Sequence, residues 1–388
     1  MAPSFSCPPG FDIRARKVTE ADIEMCPGDP VEKPRSTSRT VSPWDRPIKG
    51  TTATLANDTH PGDAVEKPES PSRTAGRSSR NAGTWDSLFK GTTATLAYVV
   101  LIVLVGICLS LLSQGWDAFK TFGWHFLISP AWDPVNNRFG ALIPIYGTLV
   151  TSFIALIIAV PVSLGIALFI TELAPRWLRQ PVAAAIELLA AIPSIIFGMW
   201  GLFVFAAWFV KYEPWIISHF GAIPGIGVIF QGIPMGIGVL TAGIILAIMI
   251  IPFISSIMRE VFLLTPPLLK ESAYGLGATT WEVVRSVVLP YTRTAVVGGI
   301  FLGLGRALGE TMAVTFVIGN AHFFNVSLLN AGNSIAAVLA NEFTEAFTPL
   351  YKSSLIALGF ILFVITFIIL VLAKLLLRRL ERAQGEAT

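Results

Sequence analysis

No Gly-Lys dipeptide occurs anywhere in the 388 residues, so the chain has no Walker A loop with which to cradle ATP phosphates. Cysteine is scarce: Cys7, Cys26 and Cys108 stand alone, which excludes a disulfide framework and a zinc-ligand spacing. The four histidines, His60, His125, His219 and His322, are equally scattered and form no His-Glu-x-x-His or comparable cluster. Each reads as a solvated or packed side chain, so no metal site, catalytic cluster or cofactor is expected. A net charge of only +3 implies no affinity for nucleic acid. Charge is also thin where the chain is longest: residues 94–388 carry 28 charged side chains, against 25 in residues 1–93. No apolar core precedes residue 94, so no secretory signal is expected.

What residues 94–380 have instead is apolar length. Six stretches, roughly 95–113, 142–171, 183–210, 236–258, 292–318 and 353–377, are long enough to cross a bilayer as helices. The expected fold is an all-α polytopic membrane protein with six transmembrane helices. Pro161, Pro193 and Pro252 fall inside spans and should kink them. Basic residues set the orientation. Segments 172–182 and 259–291, Arg293 and the C-terminal end hold Arg176, Arg179, Arg259, Lys270, Arg285, Arg293, Lys374, Arg378, Arg379 and Arg382. The opposite side holds Lys120, Arg138, Lys211 and Lys352. Both termini, including a short tail at 381–388, are therefore expected in the cytoplasm of a multi-pass inner (plasma) membrane protein.

Residues 1–93 read as a polar, disordered extension, rich in Pro, Ser, Thr and mixed charge. They contain a two-copy repeat. Pro27-Gly-Asp-Pro-Val-Glu-Lys-Pro34 recurs at Pro61–Pro68 with one substitution, and Gly50-Thr-Thr-Ala-Thr-Leu-Ala56 recurs unchanged at Gly91–Ala97. Two copies without apolar periodicity do not make a stacked solenoid.

Between the fourth and fifth stretches, residues 271–290 read ESAYGLGATTWEVVRSVVLP. Glu271 and Ala273 can open a short helix, Gly277 permits a sharp bend, and a second helix can run from Thr279 towards Val288. Leu289-Pro290 then stops or redirects the chain at the next span. Trp281, Val284 and Val288 would share one apolar face. An ordinary amphipathic connection would require neither the Gly spacing nor the terminal Leu-Pro. The stretch resembles the coupling loop of the membrane subunits of binding-protein-dependent ABC importers, E-A-A-x3-G-x9-I-x-L-P, with Ser272 in place of Ala and Val287 in place of Ile. That resemblance implies a MetI-like permease fold, with Glu271, Ala273, Gly277, Leu289 and Pro290 forming the ATPase coupling loop.

The fifth stretch carries Arg306 and Glu310 in an otherwise apolar run. Spaced i, i+4, they would share one helical face. An ionised side chain at mid-membrane costs about 2.5–3.5 kcal/mol on insertion scales, so both should face a bundle or a wet cavity. A guanidinium suits a tetrahedral oxyanion, being planar and able to donate two parallel hydrogen bonds. A structural ion pair between helices fits the same residues equally well. Gly299, Gly303, Gly305 and Gly309 supply two GxxxG spacings for close helix contact.

The run Gly305-Arg-Ala-Leu-Gly-Glu-Thr-Met-Ala-Val314 resembles the signature of the PstC permeases of bacterial phosphate importers, and Glu187–Ser194 is similar to the same family. The likeness extends over roughly residues 85–380. It implies that Arg306 and Glu310, with Glu187 as a weaker candidate, take part in phosphate movement. It also implies four kinds of partner: a second, PstA-like permease, a PstB-like ATPase dimer, an extracytoplasmic PstS-like phosphate-binding protein, and membrane lipid. The rival readings are a permease for another oxyanion such as sulfate or molybdate, and an ion-gradient-driven secondary carrier, which would need no coupling loop.

Overall fold

The computed structural model describes residues 79–385, apart from 225–226. Of the expected extension, residues 1–78 and the first repeat copy lie outside the described residues. Residues 79–93 are helical, and belong to α1 (Ser79–Phe122). After it come α2 (Leu142–Leu173, closing on a π-helical turn at Phe169–Leu173), α3 (Arg176–Ala190), α4 (Ser194–Phe209) and α5 (Glu213–Phe220). The chain continues through α6 (Val239–Leu263), α7 (Pro267–Gly275), α8 (Thr280–Leu308), α9 (Met312–Val317), α10 (Ile335–Glu342) and α11 (Pro349–Gly385). Among the described residues the only β pairing is an isolated bridge between Asp133 and Arg138.

Among the described residues five helices (α1, α2, α6, α8 and α11) are long and apolar enough to cross a membrane. The count reaches six only if α3 and α4 are taken as one span, and these two are bent 88° against each other. The expected kink at Pro193 is thus a break. Proline has no N–H to donate, and it pushes the residue before it out of the helical region. Pro161 and Pro252, by contrast, lie inside α2 and α6, which continue past them.

α6 is the centre of the bundle. Ile245, Leu246, Ile250, Ile254 and Met258 are all fully buried, as expected of a helix that is apolar all round. Small residues let its neighbours approach. A Cβ on Gly243 would meet Ile154 of α2 at 2.7 Å, and a Cβ on Gly303 of α8 would meet Ile254 at 2.6 Å. In lipid this close packing supplies the attraction that the hydrophobic effect supplies in water.

A second core joins α1 to α11 at the end of the molecule away from the Glu271–Pro290 loop. Ser353 Oγ accepts from the Ala118 N–H (3.1 Å) and donates to the Gln114 carbonyl (2.9 Å). Beside it a buried carboxylate, Glu342, accepts from Trp132 Nε1 (2.7 Å) and from the Tyr351 hydroxyl (2.6 Å). His322 Nε2 lies 2.9 Å from its other oxygen. Four separate segments therefore meet at one side chain. His322 is a packed residue, as expected, and its partner is ionisable.

Candidate translocation site and coupling loop

α8 does not reach Glu310. It ends at Leu308, Gly309 is its C-cap, and α9 starts at Met312. Glycine at 305 and 309 explains the ending, since each costs about 1 kcal/mol relative to Ala inside a helix. The expected shared face for Arg306 and Glu310 is therefore lost, and no ion pair joins them among the described residues. Glu310 instead turns forward. Its Oε1 accepts from the Ala313 N–H at 3.3 Å, in the first turn of α9. Arg306 is exposed, and its guanidinium carbon lies 5.4 Å from the ring centre of Phe253 on α6. Only the first GxxxG pair seats α8 closely on α6. A Cβ at Gly299 would lie 3.1 Å from Ile257, whereas the atom nearest Gly305 outside its own helix is a Leu370 methyl at 3.8 Å.

Glu187 lies elsewhere. Its Oε1 is 2.8 Å from Arg259 Nη2, while Arg179, nearby in sequence, donates through Nε to the Ala174 carbonyl (2.8 Å). Arg259 is six residues past Phe253 on α6, about 9 Å along the axis. The structure thus brings Arg306 and Glu310 to the α8–α9 break and leaves Glu187 nearer the Glu271–Pro290 loop.

In the loop the backbone accounts for the spacing of the motif. At the end of α7, Gly277 adopts φ +87°, the left-handed region that glycine enters without strain. Its N–H bonds the Tyr274 carbonyl (2.9 Å), and the Ala278 N–H bonds the Ala273 carbonyl (3.1 Å). This is the Schellman arrangement, which needs glycine four residues after the Ala273 position. Ala273 and Ala278 then pack together against the main core. Thr279 caps the next helix in a reciprocal capping box with Glu282. Glu271 is exposed, and Leu289 packs on the core.

Two expectations about the loop change. Pro290 neither stops nor redirects the chain: α8 runs unbroken from Thr280 to Leu308, with a π-helical turn at Val284–Val288 just ahead of the proline. The wider turn shifts the hydrogen-bond register where the proline N–H is missing. It also rotates the apolar face. Val283, Val284 and Val288 are buried while Trp281 is exposed, as are Leu268, Tyr274 and Leu276. Sequence reading also missed a partly buried link: Lys270 Nζ lies 2.6 Å from Glu172 Oε1 at the end of α2. A lone lysine and a lone carboxylate, each beside an apolar run, were the available signal.

Residues 159–382 match the family model described as "Binding-protein-dependent transport system inner membrane component". The chain is 61% identical over 287 residues to the phosphate transport system permease protein PstC of Xylella fastidiosa, covering 74% of this chain and 88% of that one. It is 59% identical over 290 residues to PstC of Pasteurella multocida, covering 74% and 90%. The chain belongs to this inner-membrane transport family, in its PstC branch. Among solved structures, a bacterial alginate ABC transporter in complex with its alginate-bound periplasmic protein superposes with a TM-score of 0.51 at 19% identity, over 76% of this permease and 96% of that chain. The shared feature is the fold, an ABC permease bundle. The permease is thus a membrane transport component, and the α8–α9 break and the Glu271–Pro290 loop are its two distinctive places.

Proposed function

We infer that this chain is a translocation subunit of an ATP-driven, binding-protein-dependent phosphate importer. The observation that carries the reading is Arg306. A permanent cation stands in an apolar span, in no ion pair among the described residues, on a face that the isolated subunit leaves open. A second permease packed on that face would enclose the guanidinium in a shared pathway. There it would offer a phosphate oxyanion two parallel hydrogen bonds and a compensating charge. The names of the 61% and 59% identical relatives support phosphate over sulfate or molybdate.

Without a Gly-Lys dipeptide the chain must draw its energy from a separate ATPase. The exposed Leu268, Tyr274, Leu276 and Trp281, with Glu271 among them, form the surface on which that ATPase docks. The Lys270–Glu172 ion pair brings the basic segments 172–182 and 259–291 to one end of the bundle, and Arg259–Glu187 ties the second of them to α3. That end faces the cytoplasm, as do both termini. An external phosphate-binding protein delivers the anion to the opposite end.

The test is uptake by the reconstituted complex. With Arg306→Gln, phosphate import driven by ATP should fall to background while the second permease and the ATPase still co-purify in normal amounts. Unchanged import would remove the anion-ligand role. Import that continues on an ion gradient after ATP depletion would instead favour a secondary carrier.

A further inference from the structure

Lys270 immediately precedes Glu271 in α7, yet it points into the protein. Its side chain is 18% exposed, and that of its partner Glu172 is 8% exposed. α7 has no buried residue of its own, so apolar packing alone holds it weakly. Glu172 sits in the π-helical turn that closes α2.

The far end of α2 is also fastened. The Tyr146 hydroxyl donates to the Val326 carbonyl (3.1 Å), and Thr148 Oγ1 accepts from the Ile335 N–H (2.9 Å). Gly147 packs so closely on the Asn333 carbonyl that no Cβ would fit there. Between these ends α2 lies along α6, where Ser163 Oγ donates to the Ile251 carbonyl (3.1 Å). A helix of 32 residues, about 48 Å long, is thus tied to the coupling loop at one end and to segment 326–335 at the other.

We propose that Lys270 is a positioning residue for energy coupling, acting through Glu172 and α2. The inference rests on the ATPase-driven reading of the loop. The loop is covalently continuous with α8, so a displaced loop moves α8 directly. The Lys270–Glu172 pair adds a second link, which makes α2 move with α8 and carries the displacement to segment 326–335, just beyond α9. A partly buried pair suits this task, because parting it leaves two charges with reduced access to water. Coupling between distant sites requires such an element, whose arrangement both ends can bias.

The experiment uses the complete transporter in proteoliposomes and reads phosphate imported per ATP hydrolysed. With Lys270→Gln, the ATPase should remain bound and basal hydrolysis should persist, while the ratio falls about fivefold or more, the usual lower range of allosteric coupling. Lys270→Arg should stay near wild type, and the exchanged pair Lys270→Glu with Glu172→Lys should recover most of the ratio that Lys270→Glu alone loses. A wild-type ratio in Lys270→Gln would overturn the proposal. So would loss of the ATPase from the Lys270→Gln complex, which would make the pair an assembly contact. Failure of the function reading looks different: the unaltered complex would import no phosphate with ATP.

Discussion

Glu310 shows how a single side chain changes meaning once its backbone is known. By spacing alone it faces Arg306; in the structure it caps the first turn of α9 through the Ala313 N–H. A glutamine can still accept that bond, whereas alanine cannot, and losing a cap costs about 1 kcal/mol. Initial uptake rates should therefore stay within about twofold of wild type for Glu310→Gln and drop clearly for Glu310→Ala. The reverse order would show that the negative charge itself matters. Gly277 is the opposite case, legible from sequence because the Schellman turn is a local device with a fixed spacing. Valine at φ +87° should cost about 1–2 kcal/mol of backbone strain and lower the ATPase recovered per permease, with Gly277→Asn milder. Equal recovery from all three proteins would contradict the docking role of the bend.

Helices were legible in proportion to their apolar length. The stretches expected at 142–171 and 236–258 correspond to Leu142–Leu173 and Val239–Leu263. The interruptions were not legible, because composition alone does not say whether a Pro or Gly bends a helix or ends it. Hence the expected spans at 183–210 and 292–318 both prove to be divided, at Pro193 and at Gly309. Identical motifs also part company at this scale. Gly303→Leu forces a side chain into Ile254 and should destabilise the bundle by on the order of 2 kcal/mol, seen as a lower apparent melting temperature in detergent. Gly305→Ala meets only a Leu370 methyl at 3.8 Å and should leave that temperature within a degree or two of wild type, since helix propensity then favours alanine.

Across the whole molecule, the cluster that joins distant segments around Glu342 left no trace in the sequence. Trp132, His322, Glu342 and Tyr351 meet over separations of up to about two hundred residues. Burial raises the Glu342 carboxyl, but hydrogen bonding from His322, Tyr351 and Trp132 outweighs it and holds the group below its ordinary 4.5. A carboxylate depressed in the fold stabilises above its unfolded value and loses that contribution as pH falls through the lower folded one. Acidification from pH 7 to 5 should thus leave the apparent melting temperature untouched by this group, with the loss beginning below about pH 4.5. Glu342→Gln should remove that acid-dependent step; an unchanged acid profile would assign it elsewhere. The gap between α8 and α9 has a mechanical corollary on the same scale. An uninterrupted rod could change which side it opens to only by tilting as a whole. On the pathway proposed above, a rod cut beside its cation lets a piece of six residues swivel while the longer piece keeps its seat, which would place the barrier to an anion on a few peptide links.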